Sequence, residues 1–320
     1  MSTRRVRVKN GNYEIATTIH GAGPVLLCIH GWPEHAHSWR HQVREFTARG
    51  YCVVTIDVRG YGDSAKPEAI EAYTLEALAS DVAAVARFVS DAPVILFGHD
   101  WGAPIVYATA LRHPDCVTAV AGLSVPYAPA SELSTIDLLR QIYADRFFYI
   151  LYFQQPGLVE QEVEPDLRTA LRKIYHSLSG DAPDLDWLKE KPADAGLLDD
   201  LVLPADPPEW LPEADFQHYL AAFEKSGFHG PIARYRAMPL DVELDRPLLG
   251  VKIHQPACFI GGAKDAIRNY VPGMDGYADV GGGFEDFRGA TIIPGAGHWV
   301  QQEAPAATNQ ALAEFLASLS

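Results

Sequence analysis

Apolar residues along this chain fall into two patterns. Four short unbroken runs, VLLCIH at 25–30, YCVVTID at 51–57, VILFG at 94–98 and VTAVAGLSV at 117–125, have the length and content of strands buried on both faces. Between them, apolar positions recur at helical spacing. SWRHQVREFTARG at 38–50 predicts a helix stopped by Gly50, and TLEALASDVAAVARFV at 74–89 predicts one opened by Thr74 as N-cap. A third helix follows VILFG and runs to about His113, with Pro114 beyond its end. Strands alternating with helices through short links predict an α/β protein with a mostly parallel central sheet flanked by helices. The opening MSTRRVRVKNG alternates and predicts an edge strand; the apolar stretch that an export signal needs does not follow Arg4 and Arg5.

After Val125 the pattern changes. Residues 126–250 give helical segments, chiefly 136–153, 165–178 and 213–228, joined by proline-rich loops such as PADPPEW at 204–210, and no clear buried strand. Strand-to-loop units then return at ACFIGGAKD (257–265) and ATIIPGAGH (290–298), before a closing helix at 309–319. The chain divides into an α/β core, 1–125 with 251–320, and a helical cap, 126–250, inserted after the fourth recognised strand. Such a lid is expected over the carboxyl edge of the sheet, where open α/β folds bind ligands.

Charge narrows the partners. The 320 residues carry 26 Lys and Arg against 41 Asp and Glu, a net charge of −15. This balance disfavours nucleic acid and anionic membranes and suits a small neutral molecule. No segment approaches the ~20 apolar residues of a membrane span. Cys28, Cys52, Cys116 and Cys258 form no C-x-x-C pair and are expected as buried free thiols of a cytoplasmic protein. HGWPEHAHSWRH holds His30, His35, His37 and His41, but only one H-x-H pair has ligand spacing, and no metal or cofactor is expected. No heptad pattern decides between monomer and homodimer.

Three residues stand just after strands: Asp100 after VILFG, Asp265 after ACFIGG and His298 after ATIIPGAG. GHDWG at 98–102 has the layout of a nucleophile elbow, G-x-S-x-G, with aspartate in place of serine. The order nucleophile, acid, histidine is that of an α/β-hydrolase triad. HGWP at 30–33 follows the first central strand as an oxyanion loop would, with the backbone N–H groups of Trp32 and Trp101 expected to point into one pocket. A carboxylate is a poor nucleophile toward esters, because the anhydride reverts. It suits displacement at a saturated carbon bearing a strained or good leaving group, an epoxide or an alkyl halide.

HGWPE (30–34), GHDWG (98–102), the KD at 264–265 and GHW (297–299) together resemble the α/β-hydrolase-fold epoxide hydrolases, over almost the whole chain. The resemblance implies the α/β-hydrolase fold and the conversion of an epoxide and water to a vicinal diol, through an ester on Asp100 that His298, oriented by Asp265, hydrolyses. YFQQPG (152–157) and GPIARYR (230–236) resemble the cap motifs that carry the two ring-opening tyrosines, which by that match are Tyr152 and Tyr235. Tyr149 and Tyr219 are the alternatives, and Arg234 stands where relatives carry an aromatic residue. A phenol is neutral at pH 7 yet acidic enough, with a pKa of ~10, to donate to the strongly basic oxygen of an opening epoxide. A haloalkane or haloacid dehalogenase on the same fold is the nearest alternative. Against it, Trp32 replaces the asparagine that haloalkane dehalogenases often show, and Trp101 the arginine of haloacetate dehalogenases. A non-catalytic hydrolase-fold binding protein is the third reading.

Overall fold

The four buried runs form the adjacent central strands of one eight-stranded sheet in the computed structural model, which describes residues 2–183 and 186–319. The strands are β1 (Thr3–Asn10), β2 (Tyr13–His20), β3 (Val25–Ile29), β4 (Cys52–Ile56), β5 (Val94–His99), β6 (Val117–Leu123), β7 (Ala257–Gly262) and β8 (Phe287–Ile293). Their order is β1-β2-β4-β3-β5-β6-β7-β8. The pairs β1–β2 and β2–β4 are antiparallel and the rest parallel. The alternating N-terminus makes the edge strand its pattern predicts. It is half of a hairpin whose second strand, β2, has no unbroken apolar run to announce it, because much of it stays half-exposed.

Cys28 on β3 lies opposite Thr55 on β4 and Phe97 on β5, and this register sorts side chains onto two faces. Leu27, Ile29, Val54 and Leu96 face the helices α2 (Leu75–Val89) and α3 (Gly102–Arg112). Leu26, Cys28, Val53 and Phe97 pack with Phe46 of α1 (Arg40–Ala48) and Leu312 of α12 (Pro305–Ala317). Thr74 caps α2, accepting a hydrogen bond from the Ala77 amide at 3.3 Å. The 38–50 helix is shorter than its pattern predicts, since Ala36–Trp39 forms a 3₁₀ turn first.

Between β6 and β7 lie α4 (Thr135–Ile142), α5 (Tyr149–Phe153), α6 (Leu158–Val163), α7 (Leu167–Ser177), α8 (Glu213–Ser226), α9 (His229–Arg236) and α10 (Met238–Leu244), and no β-strand among the described residues. A short α11 (Val300–Glu303) precedes α12. The helix expected over 136–153 is broken into α4 and α5. Residues 143–148 contain no Gly or Pro, so the cause is tertiary. The Phe147 amide donates to the Lys191 carbonyl at 3.0 Å, Arg146 bridges to Pro192, and the Tyr143 hydroxyl reaches the Tyr270 carbonyl. The buried Lys191 ammonium lies 4.2 Å from the centre of the Phe147 ring and donates to the carbonyls of Gly196 and Leu197. This break restarts the helical register at Tyr149.

Candidate active site

Asp100 occupies the turn between β5 and α3 with φ +50°, a left-handed conformation that a non-glycine residue adopts only under constraint. The turn is tight because glycines surround it. A Cβ on Gly102 would stand 2.0 Å from the Ile29 carbonyl oxygen, and one on Gly31 would stand 2.3 Å from Asp100 Oδ1. The latter closeness lets the loop after β3 lie against the carboxylate, whose Oδ1 accepts the Trp32 amide at 2.6 Å. The Trp101 amide lies 2.5 Å from the same point on Gly31, so it borders that side of the carboxylate without bonding to it. Trp101 also precedes the first turn of α3, which places the positive end of the helix beside the carboxyl group.

The structure brings Asp100, Asp265 and His298 together from the ends of three different strands. His298 Nε2 is 3.1 Å from Asp100 Oδ2, and Nδ1 is 3.1 Å from Asp265 Oδ2 and 3.2 Å from Oδ1. Asp265 is itself fixed by the Ile267 amide at 3.0 Å and the Tyr277 hydroxyl at 2.7 Å. The Asp100 side chain keeps 11% of its surface exposed, against 2% for His298 and 0% for Asp265, so the carboxylate at the elbow is the member that opens outward. Burial opposes charge on His298, but carboxylates at both ring nitrogens outweigh it and hold the group well above its ordinary 6.5. Burial likewise opposes charge on Asp265, yet His298 and the hydrogen bonds around it bring that carboxyl below its ordinary value.

Behind the elbow lies a second buried pair. His99 Nδ1 is 2.7 Å from Glu34 Oε2, and Nε2 is 2.7 Å from the His298 carbonyl oxygen. Glu34 also accepts from the Gly31 amide at 3.2 Å and from the Gln301 and Gln302 amides, each at 3.0 Å. Burial works against its charge, but His99 beside it takes the carboxyl down to about 2. Glu34 thus ties the Trp32 loop, the elbow and the His298 loop together. The sequence offered HGWPE as a motif but gave no sign that its acid is wholly buried. Glu303, one turn past His298, accepts from the amides of Gly297 and Trp299, both at 2.9 Å, and of Gly180 at 2.7 Å.

The tyrosines divide differently from the expectation. Tyr235 on α9 is buried, with its ring centre 5.9 Å from Trp32, 5.2 Å from Trp101 and 5.9 Å from Tyr149 on α5. Burial and then neighbouring charge, Asp100 included, push both phenols above their ordinary 10.0. The Tyr152 hydroxyl is engaged elsewhere. It donates to Glu162 Oε2 at 2.6 Å, and Glu162 also accepts the amides of Leu197 and Leu198. Tyr219 bonds Gln302 Oε1 at 2.7 Å and Ser38 Oγ at 2.9 Å, away from the carboxylate. Tyr149 and Tyr235 are therefore the phenols that face one another beside Asp100. Arg234, before Tyr235, is buried with its guanidinium 4.7 Å from the centre of the Trp101 ring and paired to Asp241. Three of the four histidines of the 30–41 stretch have protein partners: His30 Nε2 accepts the Val58 amide, His35 bonds the His218 carbonyl and His37 bonds Asp215.

This sheet order, elbow and acid–histidine arrangement define an α/β hydrolase, and the family model described as "alpha/beta hydrolase fold" matches residues 24–156. Epoxide hydrolase A of Mycobacterium tuberculosis is 36% identical over 297 residues, covering 92% of this chain and 91% of that protein. Epoxide hydrolase B of the same organism is 33% identical over 330 residues, covering 93% and 92%. Among solved structures, an epoxide hydrolase from an endophytic Streptomyces superposes with a TM-score of 0.94 at 39% identity, covering 99% of this chain and 96% of that one. Epoxide hydrolase A from Mycobacterium thermoresistibile gives 0.89 at 38% identity, covering 98% of each chain. The chain belongs to the α/β-hydrolase-fold epoxide hydrolases and is an enzyme of the hydrolase class. No helix among the described residues is long and apolar enough to cross a membrane.

Proposed function

We propose that this chain opens a small neutral epoxide to a vicinal diol through an alkyl ester on Asp100, with residues 126–250 acting as the cap that supplies Tyr149 and Tyr235. The observation that carries the reading is the pairing of a carboxylate, rather than a hydroxyl, at the elbow with two buried phenols beside it. Asp100 Oδ1 is held by the Trp32 amide, and Oδ2, the oxygen paired with His298 Nε2, attacks carbon. As the Oδ2–carbon bond forms, the ring carbon–oxygen bond breaks and the freed oxygen draws a phenol proton. Hydrogen bonds that strengthen as this charge grows favour the transition state over the substrate.

Esterification removes the charge that Asp100 places beside His298. The imidazolium then gives its proton back to the phenolate and becomes a base. It takes one proton from water while the hydroxide adds to Cγ of Asp100, and the oxyanion at Oδ1 rests on the amides of Trp32 and Trp101. Collapse breaks the Cγ–Oδ2 bond, the hydroxyl proton passes to the departing diol oxygen, and Asp100 and the His298 imidazolium are restored. The halide alternative needs no acid for its leaving group, so it gives the two phenols no task.

The test uses His298→Gln, incubated separately with styrene oxide and with a bromoalkane, and intact-mass analysis of the peptide containing Asp100. An adduct of the full epoxide mass on that peptide is expected. A bare alkyl adduct from the bromide alone would move the chain to the dehalogenases.

A further inference from the structure

We infer that a third tyrosine, Tyr270, assists ring opening by donating its hydroxyl to the oxygen of Tyr149, an inference that rests on Tyr149 acting as acid toward the substrate. The two hydroxyl oxygens are 2.7 Å apart. Tyr270 lies on the loop between β7 and β8 that also presents Asp265, so the triad loop and α5 meet at this bond. Its ring is edge-on to Phe148 at 5.5 Å between centres and 5.8 Å from Tyr149. Its backbone is fixed from both sides: the carbonyl accepts the Tyr143 hydroxyl and the amide bonds the Ile267 carbonyl.

The direction of the bond follows from the partners on each side. Among the described residues Tyr149 is the one hydrogen-bond partner of the Tyr270 hydroxyl, whereas Tyr149 also faces Tyr235 and the Asp100 side. Tyr270 is half-buried, and its hydroxyl, with Tyr149 as its one partner among the described residues, spends its proton there. Tyr149 then keeps its own proton for the substrate oxygen. Burial raises the Tyr149 phenol, and the bond from Tyr270 pulls it back down, so Tyr270 makes Tyr149 the stronger acid. In the step itself, the Asp100 oxygen–carbon bond forms, the epoxide carbon–oxygen bond breaks, and the proton of Tyr149 moves to the freed oxygen. The charge left on Tyr149 is met by the Tyr270 O–H, which keeps its proton. Chained hydrogen bonds of this kind polarise one another in a low-dielectric site. Tyr270 touches no substrate; it is a positioning residue acting through Tyr149.

The experiment is single-turnover styrene oxide opening with enzyme in excess, acid-quenched and read by mass on the Asp100 peptide. Tyr270→Phe is expected to slow ester formation about 10-fold, less than the loss of a donor that contacts the oxyanion directly, and to leave ester hydrolysis unchanged. In a Tyr149→Phe background the same change should alter ester formation by less than about twofold, since the residue it acts through is gone. Tyr143→Phe, which frees the Tyr270 carbonyl but keeps its hydroxyl, should slow ester formation less than Tyr270→Phe does and so separates loop placement from hydroxyl chemistry. Tyr270→Phe alkylating at the wild-type rate overturns the inference, and so does an equal loss with and without Tyr149. A complete absence of Asp100 ester, in wild type and in His298→Gln alike, marks failure of the underlying reading instead.

Discussion

Tyr152 donates its hydroxyl to Glu162 at 2.6 Å, a bond that holds it away from Asp100 while Tyr149, one turn earlier on the same helix, meets Tyr235. The two tyrosines should separate cleanly in kinetics. Tyr149→Phe is expected to lower the rate of Asp100 ester formation about 100-fold, the scale of losing one donor to a developing oxyanion. Tyr152→Phe is expected to leave that rate unchanged and to cost about 1 kcal/mol of stability through the lost bond to Glu162. Stopped-flow single turnovers and thermal unfolding of both variants check this, and the reverse pattern would restore Tyr152 to the reaction.

The charge on Asp100 helps keep His298 protonated in the resting enzyme. On the proposed mechanism, its loss on esterification frees the base. Asp100→Asn mimics that loss, so the His298 titration should shift down relative to the wild type, while Asp265 still favours the cation. The sign follows from removing a negative neighbour that favours the cation. Proton NMR of the His298 ring in the two proteins reads the shift; identical midpoints would mean that Asp100 does not govern the base.

Glu34 and His99 form a wholly buried pair behind the elbow. Glu34→Ala leaves the His99 ring without its acceptor and the Gly31, Gln301 and Gln302 amides without theirs. Breaking a buried pair from one side typically costs about 3 kcal/mol or more. Urea unfolding should register a loss of that order, and a variant as stable as the parent would contradict the account of this pair as the tie between three loops.

Glu303 sets a pH dependence. Burial raises its carboxyl and three backbone amides partly offset this, leaving it at about 7 against an ordinary 4.5. The folded state therefore holds a proton more tightly than the unfolded chain. This group's contribution to stability is full below 4.5 and declines as pH rises to about 7. Glu303→Gln should remove that part of the slope. Melting temperatures of both proteins at pH 5 and pH 8 would show it; parallel slopes in the two would not fit.

Much of this arrangement was legible before any coordinates. His298 follows β8, which is largely exposed and was legible only as a strand-to-loop unit, whereas Asp100 and Asp265 follow strands buried along nearly their whole length, whose unbroken apolar runs end in glycine. HGWP was legible for the same reason. Tyr149 was not. Its orientation depends on the break at 143–148, and no local residue signals that break; it is imposed by Lys191, Pro192 and Tyr270, which lie far along the chain. Motif matching gave Tyr152 because the YFQ signature lies one turn from Tyr149, the tyrosine that meets Tyr235. Glu34, Glu303 and Tyr270 were missed because burial of a single polar side chain leaves no periodic trace. Arg234 was noticed as a departure, but only the fold shows it lying over Trp101 and paired to Asp241.

Covalent attack by Asp100 is the claim on which the rest depends, and isotope transfer tests it most directly. Enzyme in excess should be given styrene oxide for one turnover in water enriched in heavy oxygen, and the Asp100 peptide and the diol then weighed separately. The account requires the label in the Asp100 carboxylate and a diol carrying the enzyme's own light oxygen. A labelled diol beside an unlabelled Asp100 would mean that water attacks the epoxide carbon directly and that no ester forms.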